Sequence, residues 1–266
     1  MTTLQDKIVW ITGATSGIGE QLVYECAKEG AKIVLSARRA EEMERVAKTA
    51  NLTADRYLIV PLDLADNRDY SSQVKAVLDK FGQVDVLINN GGISQRSLAK
   101  ETKLEVDREL MEVNYFGTIS LSKAVLPYML TRKSGMLVSV SSAVGKFGSP
   151  WRSGYSASKH ALHGFFDSLR AECHDEGLKV LIVCPGFVST NITMNALTAS
   201  GAPLRSMDSA TGNGLSSAYT AKRMVMAIKR GKREIVIGGF KENLGVWMMR
   251  HFPGIFAIMI RKMAVR

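Results

Sequence analysis

The stretch Lys7-Ile8-Val9-Trp10-Ile11-Thr12-Gly13-Ala14-Thr15-Ser16-Gly17-Ile18-Gly19 decides the fold of this 266-residue chain. Its first half is a short apolar run, which is typical of a buried β-strand. Its second half is a glycine-rich turn with the spacing G-x-x-x-G-x-G, followed by a helical pattern that ends at Gly30. A strand, a glycine turn and a helix N-terminus together form a context in which backbone N–H groups bind a dinucleotide pyrophosphate. The N-terminal segment therefore predicts a dinucleotide site.

The rest of the chain repeats the alternation of strand and helix. Between helix-period stretches, apolar runs occur at Lys32–Ser36, Tyr57–Leu62, Asp85–Asn89, Met136–Ser141, Lys179–Cys184 and Glu234–Gly238. Such alternation predicts an α/β fold with a parallel sheet that is covered by helices on both faces. The length fits one large domain, and we find no linker or internal repeat. We therefore predict a single domain over residues 1–266, with residues 240–266 as a C-terminal extension.

A second informative stretch is Tyr155-Ser156-Ala157-Ser158-Lys159, which lies thirteen residues after Ser142. Residues four apart share one face of a helix, so the lysine ammonium can lie close to the tyrosine phenol. A free phenol has a pKa of roughly 10, and a nearby positive charge lowers the pKa. A tyrosine tuned in this way can exchange a proton with a carbonyl or alcohol oxygen. The spacing therefore predicts an acid/base pair.

These segments, with three others in the same order, resemble the short-chain dehydrogenase/reductase family from about Lys7 to Thr190. Asn89-Asn90-Gly91-Gly92 resembles the N-N-A-G element of that family, with Gly91 in place of the alanine. Asn114 in Asn114-Tyr115-Phe116-Gly117 resembles its helix asparagine, and Ser142 has the catalytic spacing. Pro185-Gly186-Phe187-Val188-Ser189-Thr190 resembles the segment that holds the nicotinamide.

The resemblance implies a Rossmann-like, doubly wound parallel sheet of seven strands and a catalytic group of four residues. Tyr155 would exchange the proton with the substrate oxygen, and Lys159 would lower the pKa of Tyr155 and contact the nicotinamide ribose. Ser142 would hydrogen-bond the substrate oxygen, and Asn114 would hold a water that links Lys159 to solvent. The implied cofactor-binding residues are Thr12, Gly13, Ser16, Gly17, Ile18, Gly19, Arg38, Arg39, Asp63, Asn90, Gly91, Tyr155, Lys159, Pro185, Gly186, Val188 and Thr190.

The end of the second strand indicates which nicotinamide cofactor is used. NAD enzymes place an acidic residue there to bind the adenosine ribose, and this carboxylate would repel a 2′-phosphate. This chain has Ala37 at that position, eighteen residues after Gly19, and Arg38 and Arg39 follow. A guanidinium can pair with a dianionic phosphate. We therefore predict NADP (NADPH) as the cofactor, in preference to NAD.

The cysteines and the N-terminal residues indicate in which cellular compartment the protein is expected. The three cysteines, Cys26, Cys173 and Cys184, are sparse and odd in number, which argues against a disulfide framework. The histidines show no metal-ligand spacing with them, so no metal site is predicted. The first six residues lack the features of a signal peptide, and no apolar stretch approaches the roughly 20 residues that span a bilayer. We therefore expect a cytoplasmic protein.

The net charge of +10 is concentrated at the C-terminus, where residues 222–266 hold eleven lysines and arginines against Glu234 and Glu242. Many apolar and aromatic residues are mixed with these charges. Such a tail can lie in a membrane interface, or it can close the substrate cleft or pack on a partner subunit. We favour packing on protein, with peripheral membrane contact as the alternative and a homodimer or homotetramer expected. Nucleic-acid binding is not predicted, because no recognition fold accompanies the tail.

These features predict an oxidoreductase that transfers a hydride between NADP(H) and a carbonyl or secondary alcohol. The expected substrate loop, residues 191–217, contains several apolar residues, and together with the C-terminal extension it favours an apolar ketone or aldehyde. Reduction of 3-oxoacyl groups on an acidic acyl carrier protein is an alternative, because basic residues can receive such a carrier. A dinucleotide-binding scaffold or redox sensor without turnover is a further alternative, since one fold hosts many functions.

Overall fold

The computed structural model describes residues 3–66 and 69–261 of the chain. Seven strands form one parallel sheet in the order β3-β2-β1-β4-β5-β6-β9, and β7 pairs with β8 in a separate two-stranded ribbon. The strands are β1 Ile8–Thr12, β2 Lys32–Ser36, β3 Tyr57–Ile59, β4 Val86–Asn89, β5 Gly135–Val140, β6 Leu178–Pro185, β7 Val188–Ser189, β8 Leu215–Ser216 and β9 Glu234–Ile237.

Helices connect and cover the strands. They are α1 Gly17–Lys28, α2 Ala40–Thr49, α3 Ser71–Phe81, α4 Leu104–Met111, α5 Gly117–Thr131, α6 Ser153–Glu172, α7 Ser209–Gly212, α8 Ser217–Lys229, α9 Phe240–His251 and α10 Pro253–Ile260. A π-helical turn over Glu112–Phe116 joins α4 to α5, and short 3-10 turns lie at Ala143–Gly145 and His174–Glu176.

Both faces of the sheet are buried, each in its own apolar core. In β1, Val9 and Ile11 pack in the core that contains residues of α1 and α8, such as Leu22 and Met224. Trp10 lies in the core on the other face. Successive side chains of a strand point to opposite faces, so a strand that is buried on both faces reads as an unbroken apolar run. This is why the apolar runs in the sequence predicted the sheet correctly.

The order of the strands reverses direction at β1. From β1 the chain adds β2 and β3 on one side, and it then crosses to add β4 on the other side. In open α/β sheets, ligands bind at the carboxyl ends of the strands beside such a switch point. The fold therefore places the ends of β1 and β4, at Thr12 and Asn89, where a site is expected.

The predicted strand boundaries differ from the structure at a few ends. The strand predicted over Tyr57–Leu62 ends at Ile59, although Val60 and Leu62 still donate backbone hydrogen bonds to Leu35 O and Ala37 O at 2.9 and 3.0 Å. The chain therefore stays extended beside β2 beyond the formal end of β3. The β7–β8 ribbon was not predicted, because two-residue strands carry no periodicity.

The C-terminal extension forms α9 and α10, while residues 262–266 lie outside the described residues. Phe256 is buried and packs edge-on against Phe147, with the ring centres 5.0 Å apart. Several large apolar side chains of the two helices stay exposed: Phe240, Trp247, Met249, Phe252, Ile255, Ile258 and Met259. Val246, Met248 and Ile260 are partly buried against the same apolar cluster as Phe256, so several side chains of the extension contact the protein while the others stay exposed. In the described part of the chain, every helix is too short or too polar to cross a bilayer.

Candidate active site

The glycine turn after β1 is shaped by backbone conformations that only glycine adopts readily. Gly13 and Gly17 have φ of 64° and 56°, in the left-handed region that disfavours other residues. A Cβ atom on Gly13 would lie 2.9 Å from Gly91 Cα, and one on Gly19 would lie 2.0 Å from Gly13 O. The turn therefore leaves an open cradle at the N-terminus of α1, where free N–H groups favour an anion.

The segment after β4 fixes this turn. The Thr12 hydroxyl accepts hydrogen bonds from the backbone N–H groups of Asn90 and Gly91 at 3.0 and 2.9 Å. The Asn90 side chain donates to Thr12 O at 3.0 Å. Two loops that are distant in sequence are therefore held together across the switch point of the sheet.

The proposed cofactor residues line one continuous cleft of about 870 Å³, which also contains Ser142, Tyr155 and Lys159. Arg38, Arg39 and Asp63 form part of this lining beyond the ends of β2 and β3. Gly19 and Asn114 are the exceptions among the residues predicted from sequence. Gly19 packs against the backbone of Gly13, and Asn114 is fully buried behind the cleft.

Arg38 and Arg39 are exposed at the end of β2, and Arg39 immediately precedes α2. Neither side chain has a hydrogen-bond or ion-pair partner among the residues that the structure describes. Ala37 lies beside them, where an acidic residue would otherwise stand. The local charge at this end of the cleft is therefore positive.

Tyr155 and Lys159 lie on α6, close to its N-terminus. The Tyr155 N–H donates to the Gln95 side chain at 3.2 Å, which satisfies one of the free amides of the first helical turn. The Lys159 ammonium donates to Val140 O, the last residue of β5, at 2.9 Å. It lies 5.8 Å from the centre of the Tyr155 ring. The loop after β4 and the end of β5 therefore position this pair.

Ser142 is the second residue after the end of β5 and lines the same cleft. Its hydroxyl donates to Pro185 O at 3.4 Å and accepts from Val144 N–H at 3.3 Å. Both distances are long for such bonds. The hydroxyl is therefore weakly held and can turn towards a substrate oxygen.

Burial dominates the electrostatics of Tyr155 and Lys159. Burial raises the pKa of Tyr155 above its ordinary value, against the effects of Arg152, Ser142 and Arg96, which lower the pKa. Burial also lowers the pKa of Lys159 to about 8. The expected lowering of the Tyr155 pKa is therefore not seen as a net effect, because the effect of burial exceeds the opposing effects of Arg152, Ser142 and Arg96. Both shifts disfavour the charged forms.

Asn114 lies in the π-helical turn between α4 and α5. Its side chain accepts from Ile93 N–H at 2.8 Å and donates to Ile93 O at 3.0 Å and to the Ser158 hydroxyl at 2.9 Å. Ser158 is next to Lys159 on α6. Asn114 thus joins the loop after β4 to the helix that carries the pair, and π-helical turns of this kind occur often at functional sites.

Sequence reasoning missed three further residues: Arg96 and Arg152, which line the cleft, and Asp208, which pairs with Arg96. Arg96 donates to Asp208 Oδ2 through Nε and Nη2 at 3.1 and 2.8 Å. Arg152 lies 4.0 Å from the same oxygen. Asp208 is 112 residues from Arg96, and no spacing rule links them. Their only signal in the sequence is the position of Arg96 shortly after Asn90 and of Arg152 three residues before Tyr155.

Neither a metal nor a disulfide site accompanies this cleft. The described residues contain no group of three or more His, Cys, Asp or Glu that could hold a metal ion. Cys26, Cys173 and Cys184 are free and buried.

The model of the family described as "short chain dehydrogenase" matches residues 7–200. The chain belongs to this family. The protein is 42% identical over 266 residues to an Anopheles gambiae "Dehydrogenase/reductase SDR family protein 7-like", with 98% of this chain and 84% of that protein covered. It is 41% identical to the human "Dehydrogenase/reductase SDR family member 7", with 94% and 75% covered. This short-chain dehydrogenase is thus a member of an oxidoreductase family.

Solved structures agree on the fold. A short-chain dehydrogenase from Streptomyces avermitilis superposes with a TM-score of 0.80 at 27% identity, covering 97% of this chain and 96% of that chain. A short chain dehydrogenase/reductase from Burkholderia phymatum, solved in complex with NAD, superposes with a TM-score of 0.84 at 22% identity, with 96% of each chain covered. The predicted seven-stranded Rossmann-like sheet is confirmed.

Proposed function

We propose that this protein is an NADP(H)-dependent carbonyl reductase that acts on an apolar ketone or aldehyde. The observation that carries the proposal is the meeting of Ser142, Tyr155 and Lys159 with the glycine turn in one cleft. Family membership supports hydride transfer between a nicotinamide dinucleotide and a small molecule. The finer points, the choice of NADP and the apolar substrate, rest on the residues described next.

The cleft fits a dinucleotide. The positive φ of Gly13 and Gly17 and the close approaches around Gly13 and Gly19 leave room for phosphates at the N-terminus of α1. Arg38 and Arg39 would pair with a 2′-phosphate at the far end of the cleft, where Ala37 presents no opposing carboxylate. When bound, the nicotinamide supplies or accepts the hydride.

The protein's own residues would donate the proton to the carbonyl oxygen and stabilise the negative charge that develops on it. Tyr155 stays protonated near neutral pH, because burial raises its pKa, and a protonated phenol can donate a proton to the carbonyl oxygen. Ser142 would donate a hydrogen bond to the same oxygen and stabilise negative charge as it forms. Lys159, held by Val140 O, would contact the ribose and place positive charge near the phenol. Asn114 would hold a water that links Lys159 to solvent.

Apolar residues in the lining of the cleft support an apolar substrate. Ile93, Phe187, Ile192, Leu197 and Pro203 line the cleft. Phe256 of the C-terminal extension joins the apolar cluster that contains Tyr155 and Leu197. A mainly apolar pocket with few polar groups is the usual form of a small-molecule site.

Two other functions are kept as alternatives. A 3-oxoacyl group on an acidic carrier protein would use the same four residues, and the basic C-terminus favours such a partner. A scaffold or sensor that binds the dinucleotide without turnover would need no catalytic group. The presence of Asn114, Ser142, Tyr155 and Lys159 together argues against it.

A substrate screen separates these functions. Purified protein is supplied with NADPH or NADH and with panels of apolar ketones, aldehydes and 3-oxoacyl thioesters, and oxidation of the cofactor is followed at 340 nm, roughly the absorbance maximum that only the reduced nicotinamide has. We expect turnover of apolar ketones or aldehydes with NADPH. Turnover confined to carrier-protein thioesters supports the first alternative, and dinucleotide binding without turnover of any panel member supports the second.

A further inference from the structure

Two buried guanidinium groups, those of Arg96 and Arg152, line the cleft, and the carboxylate of Asp208 lies within 4.0 Å of both. The side chains of Arg96 and Asp208 are 8% and 5% exposed and form a direct ion pair at 2.8 Å. The second Asp208 oxygen accepts from the Thr211 N–H at 2.6 Å. Burial works against the charged form of Asp208, but the hydrogen bonds from Arg96 and Thr211 outweigh it and lower the pKa of the carboxyl group. Asp208 is thus ionised and fully engaged by these two partners.

Arg152 is the cation that remains. Its side chain is 7% exposed, and its nearest approach to Asp208 is 4.0 Å, which is too long for a hydrogen bond. Its Nε and Nη2 atoms have no hydrogen-bond partner in the described part of the chain. The guanidinium centre lies 4.9 Å from the centre of the Phe187 ring. A buried charge without a partner is costly, so its presence calls for an explanation, and a ligand that completes its hydrogen bonds is one.

The protonation of Arg152 is secure at neutral pH. Burial and the neighbouring Arg96 lower its pKa to about 10, while Tyr155 and Asp208 act in the opposite direction. The group therefore remains a cation. The lowered pKa reflects burial first and the positive charge of Arg96 second.

Arg152 lies beside the reacting groups. It immediately precedes α6, three residues before Tyr155, and it lines the cleft together with Ser142 and Tyr155. Arg96 lines the same cleft, with its other N–H groups held by Ser94, Gln95 and Thr193. Apolar residues such as Phe187 and Leu197 line the cleft together with polar ones such as Thr193 and Glu109. Beside the reacting groups, Arg152 is thus a buried cation without a direct ion-pair or hydrogen-bond partner among the described residues for its Nε and Nη2 atoms.

We propose that Arg152 binds a carboxylate on the substrate, so that this reductase acts on an oxo acid with an apolar body. The assignment rests on the proposed carbonyl reduction and specifies its substrate class. A guanidinium presents a planar fork of N–H donors that matches a carboxylate, and Arg96 adds positive charge without competing for the ligand, because its donors are occupied. The substrate carboxylate serves as the counter-ion of Arg152, which Asp208 cannot do because it is paired with Arg96.

The first test measures binding and needs no turnover. Decanoate and decanol are titrated into the folded full-length protein in the presence of oxidised NADP, and their affinities are compared by calorimetry. We expect decanoate to bind at least about tenfold more tightly than decanol in the wild type. The preference should disappear in Arg152→Gln and be partly kept in Arg152→Lys. Equal affinities in the wild type, or no binding of decanoate at all, contradict the assignment.

A matched control separates the charge of Arg152 from charge in general. Arg223 on α8 stacks over Tyr219 and lies outside the cleft lining. Arg223→Gln should keep the decanoate preference of the wild type. Loss of the preference in both variants, or its retention in Arg152→Gln, contradicts the assignment.

The second test measures turnover. Straight-chain oxo acids with the ketone at different positions are compared with their methyl esters, using kcat/KM with NADPH. We expect kcat/KM to be higher for the acid than for its methyl ester at one or more positions of the ketone. In Arg152→Gln, the ratio of the two kcat/KM values should fall towards one. Equal values for acid and ester at every position contradict the assignment. If neither is reduced while decanoate still binds through Arg152, the proposed function fails but the carboxylate site stands.

Thermal stability without ligand distinguishes a binding role from a structural one. Removal of an uncompensated buried charge should leave the melting temperature of Arg152→Gln equal to or above that of the wild type. A fall of several degrees would show that Arg152 holds the fold together, which contradicts the assignment. If the variant does not fold, the wild-type comparison of decanoate with decanol and the Arg152→Lys variant still decide the question.

Discussion

The Lys159 ammonium lies 5.8 Å from the centre of the Tyr155 ring, one helical turn away on α6, and donates its hydrogen bond to Val140 O. Burial raises the pKa of the tyrosine and lowers the pKa of the lysine to about 8, so near neutral pH Tyr155 stays protonated while Lys159 still carries its positive charge. A protonated Tyr155 is suited to donate a proton. This is the protonation state that the proposed reduction of a carbonyl requires.

Replacement of Tyr155 by phenylalanine removes the proton donor and keeps the ring. We expect turnover to fall by about 10²–10⁴-fold, the usual contribution of a general acid. Affinity for NADPH, measured by fluorescence titration, should change little, because the ring stays in place. Substantial reductase activity in this variant would assign the proton to another group.

Replacement of Lys159 by methionine removes a positive charge next to the phenol. The pKa of Tyr155 should rise further, so the pH at which the rate of alcohol oxidation climbs should move upward. Binding of the dinucleotide should weaken as well. Lys159→Arg retains the charge and serves as the control. An unchanged pH profile and an unchanged Kd in Lys159→Met would show that the two residues are only neighbours.

Replacement of Arg38 by aspartate reverses the charge at the far end of the cleft. A carboxylate there repels a 2′-phosphate and accepts from a free ribose hydroxyl, so we expect the preference to move from NADPH towards NADH by at least about tenfold. The measurement is the ratio of kcat/KM for the two cofactors. A wild-type enzyme that already prefers NADH would refute the prediction made from Ala37 and Arg38.

The buried His163 should make stability depend on pH. Burial and Lys146 lower its pKa to about 4, against Glu234 and Asp167, so the folded protein holds it neutral. An unfolded histidine binds a proton from about pH 6.5 downward. Between these pKa values the unfolded state binds more protons than the folded state. The free energy of unfolding therefore decreases as the pH falls from about 6.5 towards 4. In denaturant unfolding, His163→Gln should lose less unfolding free energy over this pH range than the wild type does. An equal loss in the two proteins would contradict the prediction.

Substitutions can distinguish the buried contact of the C-terminal extension from its exposed side chains. Phe256 is 3% exposed against Phe147, whereas Ile258 on the same helix is 61% exposed. We expect Phe256→Ala to cost about 3 kcal/mol of unfolding free energy and to raise KM, because α10 loses its contact beside the cleft. Ile258→Ala should change stability by less than about 0.5 kcal/mol. Similar losses in both variants would contradict this assignment of the buried contact.

The exposed apolar side chains of α9 and α10 can pack either on protein or on a lipid surface. We predict little association with anionic vesicles in a sedimentation assay, as expected if they pack on protein. Strong association that is released by salt and lost on deletion of residues 243–266 would instead indicate a membrane surface, because salt screens the attraction of basic residues for lipid.

The sequence was sufficient for the parts of this molecule that local pattern determines. The apolar runs predicted the parallel sheet because strands buried on both faces are apolar throughout. The glycine turn and the Tyr155–Lys159 spacing predicted the cleft because each motif is contiguous on one element. The Arg96–Asp208 pair and the Arg152 charge were not predictable, because they depend on loops that meet only in the fold. The direction of the Tyr155 pKa was also missed, because burial has no local signature in sequence.

The most direct test of the central claim follows the hydride itself. NADPH that carries deuterium at the transferring position of the nicotinamide is supplied with the best ketone from the screen, and the product alcohol is examined by mass spectrometry. The account predicts one deuterium on the carbinol carbon of the alcohol that the wild type forms, and about 10²–10⁴-fold slower formation of this labelled alcohol with Tyr155→Phe, although both bind NADPH. An unlabelled product, or equal rates of labelled-product formation by the two proteins, would contradict it.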